Sequence, residues 1–237
     1  MITIQNLNKR FNQHHVLRDV SVTFPSGSIT AVIGPNGSGK TTLMKTILGL
    51  VTPSSGAVTV NEVPAIGNAA VREQIGYMAQ IARYPENLTA REVIDMVKGL
   101  RQIDADESID RLVDEFMLRP HLEKPMKALS GGTRQKVGAV IAMMFDPTIL
   151  LLDEPTAGLD PVTSEELKAE IARRRNTGAT ILVTSHILSE IAELADRVVY
   201  LHEGRVMYDG EVEQLLHQTG ADTLPRAVAA MMNLEET

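Results

Sequence analysis

A lysine and a threonine closing a glycine-rich turn are the residue types that grip a polyphosphate, and Gly34-Pro35-Asn36-Gly37-Ser38-Gly39-Lys40-Thr41-Thr42 supplies that combination. Glycines let successive backbone N–H groups turn inward around phosphate oxygens, Lys40 reaches the β/γ oxygens, and the Thr41 hydroxyl is placed to ligate Mg²⁺. An apolar run, Ile29 to Ile33, precedes the turn, and a helical pattern beginning at Leu43 follows it. The positive end of that helix points at the same anion. Glycine turns also join strands to helices with no ligand, but the Lys-Thr pair in this context is what a plain turn lacks.

Two further clusters could act on the same phosphates. Ile149-Leu150-Leu151-Leu152-Asp153-Glu154 is an apolar strand ending in two acids, and a buried parallel strand delivers its last residues to the sheet edge where ligands bind. Asp153 would hold Mg²⁺ directly or through water, while Glu154 would orient and deprotonate the water that attacks a γ-phosphate. The alternative is that both acids cap the next helix. Leu129-Ser130-Gly131-Gly132-Thr133-Arg134-Gln135-Lys136 places a hydroxyl and two glycine amides at a helix start, where the dipole favours negative charge.

These clusters need a scaffold, and the pattern along the chain provides one. Ile2 to Leu7 and Ser21 to Phe24 alternate with period two and read as strands of a half-exposed sheet. Ala57 to Val60 and Ile75 to Met78 are further short strands between turn-rich stretches. From Leu88 to about Phe145 the period is helical: Thr89-Ala90-Arg91-Glu92 reads as a capping box, Asp106 to Phe116 as a helix, and Ser130 as the cap of another. Buried strands return at Thr148 to Leu152, Thr180 to Thr184 and Arg197 to Tyr200, alternating with helices over Ser164 to Asn176 and Leu188 to Leu194. The expectation is one α/β domain over 1–237. Its core, 1–84 and 146–218, includes an N-terminal β-subdomain; a helical subdomain spans 85–145 and a tail spans 219–237.

Composition narrows the partners. The 237 residues carry a formal net charge of -7, which disfavours a general nucleic-acid surface, since such a surface needs a basic face to displace counterions. There is no cysteine, so neither a disulfide framework nor a thiolate metal site forms, as suits a reducing compartment. No apolar run nears the roughly 18 residues that cross a bilayer, and the start lacks a signal-peptide pattern. A cytoplasmic chain that does not itself span a membrane is expected.

The octapeptide Leu129 to Lys136, lying between the phosphate loop and the Asp153-Glu154 strand, resembles the signature motif of ATP-binding-cassette (ABC) ATPases. The rest of the family pattern follows in order. Gln80 resembles the Q-loop glutamine, Ala157-Gly158-Leu159-Asp160 the D-loop, and His186 the switch histidine. Phe11 stands where the family stacks an aromatic ring on adenine, or else it is a packed core residue. The resemblance implies a P-loop NTPase core of ABC type with an antiparallel β-subdomain and a helical signature subdomain. It also implies ATP and Mg²⁺ as cofactors and a head-to-tail homodimer in which Ser130, Gly131 and Gly132 of one copy close over ATP held by the other. By the same resemblance Gln80 senses Mg²⁺ and the attacking water, Asp160 couples the two sites and His186 contacts the γ-phosphate. Thr133 departs from the commonest signature, which has Gln there.

Most single-domain members drive a separate membrane permease, so the subunit would sit peripherally on the inner face of the membrane. The segment Gln80 to Leu88 would receive the permease's coupling helix, or is an ordinary loop. Within the family, Tyr77 to Thr89 together with Leu129 to Val137 and Ala157 to Pro161 resembles the Nos ATPase subunit, NosF. That implies a NosY-like permease, a NosD-like periplasmic partner, and a copper or sulfur cargo for nitrous oxide reductase. His14-His15, Met143-Met144 and Met231-Met232 are the suggestive metal pairs and, without thiolates, read as surface or core residues. The alternatives are an exporter of drugs, lipids or polysaccharides, and a soluble ABC ATPase; single copies of each motif and the absence of a heptad run weigh against the latter.

Overall fold

The computed structural model describes residues 1–81, 83–103, 105–185 and 188–234. Strands β1 (Ile2–Phe11), β2 (His14–Phe24) and β3 (Ser28–Ile33) lead to helix α1 (Lys40–Ile47), then β4 (Ser55–Val60), β5 (Val63–Pro64), α2 (Ala69–Glu73) and β6 (Ile75–Met78). Helices α3 (Ala90–Arg101), α4 (Asp106–Glu115) and α5 (Gly131–Met143) follow, then β7 (Ile149–Asp153), α6 (Pro161–Asn176) and β8 (Thr180–Thr184). The chain closes with α7 (Leu188–Ala192), β9 (Arg197–His202), β10 (Arg205–Glu211), α8 (Val212–Thr219) and α9 (Leu224–Leu234). Two compact units emerge, Met1–Arg72 with Thr180–Thr237, and Glu73–Ala179.

In the first unit, β1 pairs antiparallel with β2 on one side and with β4 on the other. Ile2, Ile4 and Leu7 are buried, so the strict period of two slips by one residue after Ile4. Asn6 takes the left-handed backbone, φ 46°, at the register shift in both pairings; this bulge turns Leu7 inward. The other sheet of this unit sets β3 parallel to β8 and β9, with β10 antiparallel to β9. Every β3 residue from Ile29 to Ile33 is buried, as suits a strand covered on both faces. Asp196 ties the start of β3, its carboxylate accepting the Ile29 amide at 2.8 Å.

In the second unit, β6 lies parallel to β7, Ile75 opposite Ile149 and Met78 opposite Leu152. Helix α5 passes so close to β6 that a Cβ on Gly76 would stand 2.0 Å from the Ala142 carbonyl oxygen. The expected capping box is present at α3: the Thr89 hydroxyl accepts from the Glu92 amide at 3.2 Å, and the Glu92 carboxylate accepts from the Thr89 amide at 2.8 Å. No helix among the described residues is long and apolar enough to cross a membrane.

The structure departs from the expected elements in several places. Helix α1 begins at Lys40, not Leu43, because the last residues of the phosphate loop are themselves the first helical turn. Strands β5 and β10 and helices α2 and α8 were not anticipated. Only Gly210 of β10 is buried, with Val206 and Tyr208 half-buried on the same face, so its apolar alternation is two residues long and is obscured by Met207 between them.

Candidate active site

The first unit holds the phosphate loop. Strand β3 ends at Ile33, and Gly34, Gly37 and Gly39 then take φ of 149°, 81° and 108°, a backbone path that side chains with a Cβ resist. A Cβ at Gly34 would stand 2.0 Å from the Leu201 carbonyl oxygen, so only glycine fits there. Gly39 is the N-cap of α1 without a side-chain hydrogen bond, and the helix dipole favours an anion at that end. The Lys40 ammonium donates to the Gly34 carbonyl at 2.7 Å and to the Pro35 carbonyl at 3.1 Å. Thr41 is exposed at the second position of the helix. Ser38 is 2% exposed and its hydroxyl has no hydrogen-bond partner, an orphaned donor inside a glycine cradle, which fits a phosphate ligand. The Thr41 hydroxyl is a hard oxygen donor of the kind suited to Mg²⁺, which takes few protein ligands beside substrate phosphates.

Phe11 ends β1 opposite His14 and is 47% exposed, with the Lys9 ammonium 4.6 Å from its ring centroid. The core alternative is thereby removed, and an open aromatic face remains. His186 lies outside the described residues.

The second unit gathers the other predicted groups. Because β6 and β7 run parallel, their C-terminal ends share an edge, and this edge carries Gln80 just beyond β6 and Asp153 as the last residue of β7. Asp153 and Glu154 are both buried. Tyr77 on β6 has its phenol pushed upward, first by burial and then by the Asp153 charge. Glu154 adopts φ 52°, an uncommon backbone for a non-glycine residue and the kind of local strain that gathers at functional sites.

Ser130 caps α5, its hydroxyl accepting from the Thr133 amide at 3.1 Å and pairing with the Thr133 hydroxyl at 2.8 Å. The capping was legible in sequence; Thr133's second contact was not. Gly132 abuts the D-loop, since a Cβ there would lie 2.6 Å from the Gly158 carbonyl oxygen. Asp160 caps α6, and its carboxyl is held below the usual range by the Thr163 hydroxyl and amide that donate to it. A cavity of about 580 Å³ opens among Gln80, Tyr84, Gly131, Arg134, Ala157 and Gly158. Gln80 thus shares a wall with the signature and D-loop residues, while burial pushes the Tyr84 phenol up to about 12.

One residue with a part in this arrangement escaped the sequence reading. Gln135 on α5 is 7% exposed and donates to the Glu154 and Pro155 carbonyls. It stood within the signature octapeptide, but nothing in the sequence shows that its amide meets the acid-bearing turn.

Residues 17–157 match the family model described as ABC transporter. This chain belongs to the ABC transporter family. It is 34% identical over 216 residues to the lantibiotic transport ATP-binding protein SrtF of Streptococcus pyogenes, covering 90% of this chain and 92% of that one. It is 33% identical over 234 residues to the ABC transporter ATP-binding protein NatA of Bacillus subtilis, covering 94% and 95%. A solved ATP-binding subunit of an ABC transporter superposes with a TM-score of 0.91 at 30% identity, over 98% of this chain and 99% of the other. The fold is the expected α/β P-loop ABC ATPase, and the chain is an ATP-binding subunit and an ATP hydrolase.

Proposed function

We propose that this ABC subunit powers a separate membrane permease through a head-to-tail homodimer that closes over two ATP molecules. The observation that carries the reading is the glycine cradle, with the orphaned Ser38 hydroxyl inside it and Lys40 and Thr41 opening α1. Lys40 would hold the β/γ oxygens, the loop amides from Gly34 to Thr42 would cradle the phosphates, and Phe11 would stack on adenine. Thr41, Asp153 and Gln80 would hold Mg²⁺, which supplies charge neutralisation at the phosphates when bound. Glu154 would take the proton from the attacking water, with His186 beside the γ-phosphate. Ser130, Gly131 and Gly132 would close on the nucleotide of the other copy, Asp160 coupling the two. The dimer, the permease, a peripheral position at the inner membrane face, and the layout of core 1–84 and 146–218, helical subdomain 85–145 and tail 219–237 belong to this reading. Replacing Glu154 by Gln tests it: ATP and Mg²⁺ should accumulate a closed dimer with hydrolysis nearly abolished. Full turnover by that variant removes Glu154 as the base.

The finer reading is the Nos transporter, with a NosY-like permease and a NosD-like partner delivering a copper or sulfur species. It is supported by the Tyr77 to Thr89, Leu129 to Val137 and Ala157 to Pro161 segments; neither named relative is a Nos subunit. The chain has no cysteine thiolate to hold copper, and in this reading copper handling would belong to the partners. Deleting the gene should leave nitrous oxide reductase short of copper, and a fully loaded enzyme rules the assignment out. A second reading, export of a bulky molecule by a different permease, is favoured by the likeness to the lantibiotic transport protein. Identifying the permease that stays bound after gentle detergent extraction separates the two.

A further inference from the structure

The first turns of α5 are fastened to the acid-bearing segment at three points. Gly132 lies against the Gly158 carbonyl with no room for a Cβ, the Gln135 amide donates to the Glu154 carbonyl at 3.3 Å and the Pro155 carbonyl at 3.4 Å, and Lys136 pairs with Asp160 at 3.7 Å. Both partners of Gln135 are carbonyl oxygens, which only accept, so its NH₂ group must face them. Glu154 meanwhile holds a left-handed backbone, and such a conformation persists only where the surroundings over-determine it.

We propose that Gln135 is a positioning residue that fixes the backbone of Glu154 and thereby links engagement of this chain's signature to the aim of its own catalytic base. This rests on the dimer reading above. Ser130 and Gly131 are exposed at the tip of α5, while Gln135 is buried about 7.5 Å further along the same rigid helix. A tilt of α5 when the partner's nucleotide seats on Ser130 moves the Gln135 amide by a related amount, and the two carbonyls move with it. The Gly132 contact and the Lys136–Asp160 pair leave the segment little freedom to lag. Glu154 in one copy therefore reaches its working orientation only when the signature of that copy is engaged, which makes hydrolysis at the two sites cooperative.

Gln135→Glu and Gln135→Met test this in the full-length chain with its permease. Glu is isosteric and, ionised, opposes two carbonyls with no donor; Met fills the space with neither donor nor charge. Both variants should lower kcat by about 10- to 100-fold, the scale of a small misplacement of a reacting group, while affinity for a non-hydrolysed ATP analogue stays within about twofold and the Hill coefficient for ATP falls towards unity. The Glu variant should regain rate as pH falls and its acid becomes a donor; the Met variant should not. If Gln135→Glu fails to fold, the Met variant carries the comparison of kcat, affinity and cooperativity. Folded variants with wild-type kcat and an unchanged Hill coefficient overturn the proposal, as does a loss of rate with cooperativity intact. Glu154→Gln serves as the reference: if it fails to trap a dimer, the dimer reading falls, whereas a trapped dimer with indifferent Gln135 variants removes the coupling alone.

Discussion

Glu170 and Arg174, four residues apart on α6, form an ion pair at 2.8 Å in which the side chains are only 2% and 4% exposed. Arg111 and Arg173 also donate to Glu170, and Arg174 reaches on to Asp146 and to the Met143 carbonyl. The carboxylate is therefore the hub that joins α4, α6 and the end of α5 within the second unit. Burial alone would raise its pKa, but the donors from Arg173, Arg111 and Arg174 outweigh burial and bring it down to about 2.

Replacing Glu170 by Gln leaves three guanidinium groups facing a neutral amide. Removing one partner of a buried pair costs about 3 kcal/mol or somewhat more, and the partial exposure of Arg111 and Arg173 places this case at the lower end. Urea unfolding should show a lower midpoint with an unchanged slope. The pH dependence has a definite sign: a carboxyl lowered from its ordinary 4.5 to about 2 contributes stability that is complete above about pH 4.5 and is lost as pH falls towards 2. The Gln variant should lack that part of the acid transition; an identical acid transition would show that the hub is energetically idle.

Much of the site was legible because its parts are local. The phosphate loop, the acids closing β7 and the caps at Thr89 and Ser130 each depend on a handful of consecutive residues. The buried pair was not, because Glu170 and Arg174 are of types that normally face solvent and only tertiary packing covers them. Nor was the left-handed backbone of Glu154, since Glu has no propensity for it and the surroundings impose it. Phe11 shows the same limit from the other side: its type suits a core equally well, and only its position at the end of a hairpin leaves it open. His186, legible as a strand-end histidine, falls outside the described residues.

Gly34→Ala should abolish nucleotide binding and destabilise the first unit together. The added Cβ would collide with the Leu201 carbonyl at 2.0 Å, a backbone atom that cannot swing aside, and φ of 149° adds strain. Overpacking of this kind costs roughly 1–3 kcal/mol. Gly37→Ala is the comparison, since a Cβ there meets nothing within 4 Å and only the backbone conformation resists. Equal loss of thermal stability in both variants would show that the Leu201 contact is not the deciding constraint.

Lys40→Met should separate binding from folding. The ammonium is half-buried and its two carbonyl acceptors are at the loop's own mouth, so its removal should cost stability only on the order of 1 kcal/mol. Charge-assisted hydrogen bonds are worth about 1.5–3 kcal/mol, which corresponds to roughly 10- to 150-fold in ATP affinity. Calorimetry of the variant against ATP with Mg²⁺ should show that weakening with thermal unfolding nearly unchanged; wild-type affinity would exclude Lys40 as a phosphate ligand.

Ser130 and Thr89 do the same structural work, and that equality separates capping from catalysis. Each hydroxyl accepts one amide of its own helix, at 3.1 Å from Thr133 and 3.2 Å from Glu92, so replacing either by Ala should cost about 1 kcal/mol of stability. If Ser130 also donates to the nucleotide held by a second copy, its replacement removes a group aimed at charge developing in the transition state, and losses there run to roughly 10²–10³-fold in kcat. Hydrolysis by the Thr89→Ala subunit should stay near wild type, while Ser130→Ala should lose most of its turnover and its ATP-dependent pairing at a comparable unfolding temperature. Parallel behaviour of the two variants in both measurements would reduce Ser130 to a helix cap.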